Sequence, residues 1–174
     1  MREAKAYLAS QLGFSETGLF VLEKWIIPEI EKIGIIINNP FSECAKNLDL
    51  EHLGKIEKLD EERRFWRAFN LKVTPTNNKL MEESDCMLAI LDGGHAVDDG
   101  VSGEMGYYAG IQRGPIITLR SDFRLGENIA TSINPQLSGY IFQSRGVLVD
   151  RLQGPNATER WFAEIKKWYD SFRK

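Results

Sequence analysis

The chain has 174 residues, 43% hydrophobic and 27% charged, a balance that suits one compact domain spanning 1–174 and leaves two domains cramped. A formal net charge of -3 gives no electrostatic footprint for nucleic acid, and no basic run offers a surface to an anionic membrane. A small, neutral or weakly charged ligand fits better.

In chain order, KAYLAS (5–10) reads as a strand and 15–34 as a helix with apolar residues at Leu19, Leu22, Ile26, Ile30 and Ile33. Ser15 or Thr17 would cap it, Gly34 would stop it, and Pro28 would bend or break it. GIIINNP follows as a β-branched strand. From Phe41 to Glu83 the charge is high; helical fragments are expected around LDEERRFWRAF and NNKLMEES, separated by a break at Thr74-Pro75-Thr76. DCMLAILD (85–92) is the third strand, 104–114 a helix, PIITLRSD (115–122) the fourth strand, GVLVD (146–150) the fifth, and the last 18 residues an amphipathic helix.

Strands alternating with helical segments imply βαβ units. The expected fold is therefore α/β, a doubly wound, mainly parallel five-stranded sheet with helices on both faces, flavodoxin- or Rossmann-like. Ligands in such folds bind beyond the carboxyl ends of the strands. The loop after the third strand and SQLGFSETG after the first should share that edge.

The two cysteines, Cys44 and Cys86, lack C-x-x-C spacing, and the N-terminal residues show no signal-peptide core. A reduced, cytoplasmic protein without metal or cofactor is expected. His95 has neither a second histidine nor a cysteine beside it and reads as an exposed loop residue; His52 has no supporting context. Neither G-x-x-x-x-G-K-S, G-x-G-x-x-G nor G-x-S-x-G occurs, so nucleoside-triphosphate and serine-hydrolase chemistry are set aside.

The densest chemistry is LDGGHAVDDGVSGEMGYYAG (91–110). Glu104, placed in the first turn of the following helix, should have its pKa lowered below about 4.3 by the helix dipole, which suits a nucleophile. The alternative is a glutamate that merely favours a helix start. Asp98 and Asp99 stand before Gly100 and Gly103, where a tight turn would return a carboxylate toward the helix and pair it with Glu104. An Asx-turn is the competing use of these aspartates. Asp92, at the strand end, has a ligand-contacting position, although aspartates also terminate strands.

Taken together, the tyrosine in AYLAS, Asp92, and DDGVSGEMGYYAG resemble the nucleoside 2-deoxyribosyltransferase family and its nucleotide N-hydrolase relatives. The family's Asp-x-Gly-x-x-x-Glu-x-Gly core is matched by Asp98, Gly100, Glu104 and Gly106. Tyr7 and Asp85 match two further positions, and RSDFRLGEN followed by INPQLSGYI is similar to the segment from which an asparagine, here Asn134, reaches a neighbouring subunit's site. Some members carry an aspartate where this chain has Asn77.

The resemblance implies transfer of a 2-deoxyribosyl group between nucleobases. Glu104 would be the nucleophile, Asp98 or Asp92 the proton donor and base contact, and Tyr7 the hydrogen-bond partner of Glu104. Ser10, Phe14 and Gly100 would join the substrate site. The partners implied are a 2'-deoxynucleoside, a free base and further copies of the chain in a homo-oligomer. Two alternatives stand beside it. One is an N-glycosidase of deoxynucleosides or their 5'-monophosphates; SQLGFSETG has no arginine for a phosphate, leaving Ser10, Ser15 and backbone N–H groups. The other is a non-catalytic nucleoside-binding module.

Overall fold

The computed structural model describes residues 2–93, 96–122 and 131–174. His95 and most of RSDFRLGEN lie outside these residues. Five strands form one sheet: β1 (Ala4–Ser10), β2 (Ile35–Asn38), β3 (Cys86–Ile90), β4 (Ile116–Arg120) and β5 (Val147–Asp150). All four pairings are parallel and the order is β2-β1-β3-β4-β5. The chain therefore winds outward in both directions from β1 and β3, and the crevice between these two strands is the topological switch point.

After β1 come a 3-10 turn (Leu12–Phe14), α1 (Glu16–Val21), a π-helical stretch (Leu22–Ile26) and α2 (Ile27–Ile33). Ser15 is the cap, its hydroxyl accepting from the Gly18 N–H at 3.0 Å, and Gly34 ends the run at φ 103°. The π-helical stretch ends two residues before Pro28. Widening the turn there relieves the clash of the proline ring with the preceding turn and accommodates its missing N–H. The helical run therefore continues instead of breaking in two.

Between β2 and β3 lie α3 (Pro40–Ala45), α4 (Leu50–Leu53) and α5 (Leu59–Glu82). The break expected at Thr74-Pro75-Thr76 is absent: α5 is a single 24-residue helix with Pro75 inside it. Proline deprives the Leu71 carbonyl of its donor, but Leu71 is 80% exposed and solvent can serve it. The Thr76 hydroxyl also donates to the Lys72 carbonyl at 2.7 Å, and α3 and the later helix α6 (Asp99–Ile111) pack along the helix. Tertiary contact outweighs a local breaker here.

The remaining helices are α6 (Asp99–Ile111), α7 (Pro135–Gln143) and α8 (Ala157–Phe172). Alternate residues of the central strands feed two cores. Ala6, Leu8, Leu88 and Ile90 meet the α1–α2 run and α8 through Leu22, Ile30, Trp161 and Ile165. Tyr7, Ala9, Met87 and Ala89 meet α5, α6 and α7 through Met81, Met105, Tyr108 and Ile141. Period-two alternation with burial on both faces is what a doubly wound parallel sheet requires. Among the described residues no helix is long and apolar enough to cross a membrane.

Candidate active site

Asp98 caps α6, its Oδ1 accepting from the Val101 N–H at 3.0 Å. The helix consequently starts at Asp99, five residues earlier than expected, and Gly100 and Gly103 lie inside it instead of forming a turn. Glu104 is thus in the second turn, where the dipole of the helix start has largely faded. Val101, Met105 and Tyr108 form the buried stripe of α6, and Glu104, three residues after one and four before another, is carried beside that stripe.

Burial corrects the expected electrostatics. Desolvation pushes the Glu104 carboxyl from its ordinary value up to about 7; hydrogen bonds from Tyr7 and Asn77 pull it down, and the charge of Asp98 raises it. Removing a carboxylate from water costs more than two donors return.

The Tyr7 hydroxyl donates to Glu104 Oε1 at 2.7 Å across a sequence separation of 97 residues. Tyr7 is fully buried, and burial first, then the adjoining Glu104 charge, drives its own pKa far upward. It stays a neutral donor. Asn77 Nδ2 donates to the same Oε1 at 3.0 Å, and Cys44 Sγ donates to Asn77 Oδ1 at 3.4 Å. Burial, followed by the Glu104 and Glu43 charges, raises the Cys44 thiol pKa, so it too remains protonated. Asn77 and Cys44 escaped the sequence assignment. The one signal was positional, since the family resemblance sets Asn77 against an aspartate of some members.

Above Glu104 opens a cavity of about 320 Å3, within the range of small-molecule sites. Ser10, Phe14, Asp98, Gly100 and Glu104 all line it, with Phe41, Phe69 and Val73 supplying much of an apolar wall. Phe14, 76% exposed, meets Phe41 edge to face with centroids 5.1 Å apart. Gly100 faces this space, and a Cβ there would sit 3.0 Å from Asp98 Oδ1. A second, more polar depression of about 410 Å3, with Thr74, Asn78, Asp99 and Tyr107, meets the first at Asn77, Gly100 and Glu104. Glu104 is therefore approached from two sides.

Asp92 does not line that cavity. Its carboxylate accepts from the backbone N–H groups of Ser121 and Asp122 at 2.7 and 2.9 Å and from the Ser121 hydroxyl. It ties the end of β3 to the end of β4, and its carbonyl accepts from the Gln11 side chain, joining the loop after β1. Asn134 also lies elsewhere: its Oδ1 accepts from the Gln136 N–H at 2.9 Å as the cap of α7, and it borders a separate cavity between α6 and α7. Asp85 is at the opposite edge of the sheet, bound to the Lys5 N–H at 3.0 Å and to Arg2 at 2.6 Å. Among the described residues no group of three His, Cys, Asp or Glu side chains could hold a metal ion.

A switch-point crevice, an aromatic wall and a partly buried carboxylate held by a tyrosine come together at one end of a doubly wound parallel sheet. The chain belongs to the nucleoside 2-deoxyribosyltransferase family, whose profile matches residues 6–150, and it is an enzyme of that type. Similar solved structures include a conserved protein from Enterococcus faecalis V583 (19% identity, TM-score 0.66, covering 95% of this chain and 99% of that one). A 2-deoxyribosyltransferase from Bacillus psychrosaccharolyticus is 17% identical with a TM-score of 0.55, covering 93% of this chain and 96% of its own. The CMP N-glycosidase of Clostridium botulinum is 15% identical with a TM-score of 0.52, at 90% and 94% coverage. At these identities the likeness is one of fold. No curated protein matches the sequence.

Proposed function

We propose that the protein moves the 2-deoxyribosyl group of a 2'-deoxynucleoside from one nucleobase to another through a covalent ester on Glu104. The observation that carries this reading is the placement of Glu104: partly buried, bonded to Tyr7 at 2.7 Å, and at the foot of an aromatic-walled cavity. The base stacks among Phe14, Phe41 and Phe69, and the sugar lies over Glu104 toward the polar depression.

Glu104 attacks C1' on the face opposite the base. The C1'–N bond breaks, its electron pair leaves with the base, and Asp98 delivers a proton to that nitrogen. A second base then attacks C1', its proton passes to Asp98, and the C1'–O bond opens to restore the carboxylate with retained configuration. A deoxy sugar suits this route, because a 2'-hydroxyl would withdraw density from the positive centre developing at C1'. Among the described residues the cavity lining holds no Arg or Lys, which favours an uncharged nucleoside over its 5'-monophosphate. Asp92, occupied in joining β3 to β4, drops out as proton donor. Asn134, at the lip of a different cavity, completes the site of a neighbouring copy in a homo-oligomer.

The test is rapid quenching with a 2'-deoxynucleoside followed by mass spectrometry of peptides, with base exchange followed by chromatography. A deoxyribosyl adduct on the peptide containing Glu104, and a new nucleoside when a second base is present, support the proposal. Base release that ignores the second base assigns hydrolysis; an adduct elsewhere removes Glu104 from the role.

A further inference from the structure

Both donors to Glu104, the Tyr7 hydroxyl and Asn77 Nδ2, converge on Oε1. With the lone pairs of Oε1 engaged, Oε2 is the oxygen left to react. The amide orientation is set from its other end, because the Cys44 thiol donates to Asn77 Oδ1 at 3.4 Å and turns Nδ2 toward the carboxylate. An amide NH2 only donates and an ionised carboxylate only accepts, so the bond is matched to the charged form of Glu104. The placement depends on α5 running unbroken through Pro75, which sets Val73, Asn77 and Met81 along one side of the helix.

We infer that Asn77 is a positioning residue that, with Tyr7, clamps Glu104 Oε1, turns Oε2 to the sugar and holds the carboxyl in its nucleophilic, ionised form. The inference rests on Glu104 being the nucleophile. The titratable groups facing Glu104 are Tyr7 from β1, Cys44 from α3, and Asp98, Asp99 and Tyr107 from the α6 segment, while α5 contributes the neutral amide. An acid at position 77 would add a second negative charge beside Glu104. The amide supplies a hydrogen bond without that repulsion.

The experiment measures kcat and KM against pH for base exchange by the wild type, Asn77→Leu and Asn77→Ser, with Glu104→Gln as control. Leucine keeps the branching at Cγ and removes the donor; serine stays polar but is too short to reach. Loss of the clamp moves the midpoint of the acid limb of kcat/KM upward by about one pH unit, a tenfold fall well below both midpoints. It also lowers kcat more than it changes KM. A residue that only supports the fold would lower the melting temperature and leave the midpoint in place, and an unmoved midpoint in either variant overturns the inference. If neither variant folds, Cys44→Ala and Cys44→Ser decide: the alanine frees the amide to turn and raises the midpoint, the serine preserves it, and two unshifted profiles overturn the clamp. Wild-type turnover in Glu104→Gln is a separate outcome that refutes the nucleophile itself.

Discussion

Glu104→Gln should make the protein more stable at alkaline pH. In the folded chain burial raises the carboxyl pKa from 4.5 to about 7; in the unfolded chain it titrates near its ordinary value. Between these two points the folded state binds the extra proton, so stability falls as pH rises through that window and stays lower above it. The difference corresponds to at most about 3 kcal/mol. The variant carries no charge to desolvate, and its amide oxygen still accepts from Tyr7 and Asn77. Urea unfolding at pH 8 should therefore show the variant ahead by up to roughly 3 kcal/mol, a melting point higher by about 2–4 °C for each kcal/mol gained. At pH 4 the advantage should vanish. A variant no more stable than wild type at pH 8, or equally favoured at both pH values, would refute the claim that Glu104 is held against its preference for water.

Asp98→Asn should keep the helix cap, since asparagine caps as well as aspartate, with stability unchanged within about 0.5 kcal/mol; base-exchange turnover should fall on the order of 10² to 10⁴. Asp92→Ala should destabilise by about 1–3 kcal/mol in urea titration, because two backbone N–H groups lose their acceptor; an unchanged midpoint would contradict its structural role. Gly34→Ala should cost more than about 1 kcal/mol, because φ is +103° and a Cβ would lie 2.5 Å from the Tyr169 hydroxyl. Mixing inactive Glu104→Gln with inactive Asn134→Ala should restore activity by subunit exchange; no recovery would mean Asn134 does not complete a neighbour's site.

The sheet was legible because each strand is a short apolar run bounded by turn residues, and a parallel sheet buried on both faces writes that pattern plainly. Helix limits were less so. Two glycines ahead of Glu104 looked like a turn, yet the Asp98 cap and the packing of Val101, Met105 and Tyr108 support a helix through them. Pro75 misled in the same way. Helix α7 went unnoticed, although Asn134-Pro135 is a helix start and Leu137 and Ile141 lie one turn apart. In the site, Asp98 and Glu104 stood out in the acidic, glycine-rich stretch before α6, and Tyr7 could be named only through the family resemblance. The roles of Asn77, Cys44 and Gln11 depend on which side chains meet across β1, α3, α5 and α6, and no local pattern encodes those meetings. Asp92 shows the reverse, a residue in a ligand-binding position whose acceptors are consumed by the neighbouring strand.

Strand β1 pairs with β3 across about 80 residues, for instance Ala6 with Cys86, and this has a cost during synthesis. A ribosome adding roughly 5–20 residues per second needs about 4–16 s to make the intervening chain. Even once β2 (Ile35–Asn38) has been made, β1 has a partner on one side and nothing on the other until β3 follows. Its unpaired backbone N–H and C=O groups, flanked by apolar side chains, are open to any passing strand, including the same segment of another nascent chain. Growth temperature and chaperone supply should therefore govern the yield of this protein more strongly than the stability of its finished fold, and chains halted before residue 86 should be the ones recovered in aggregates.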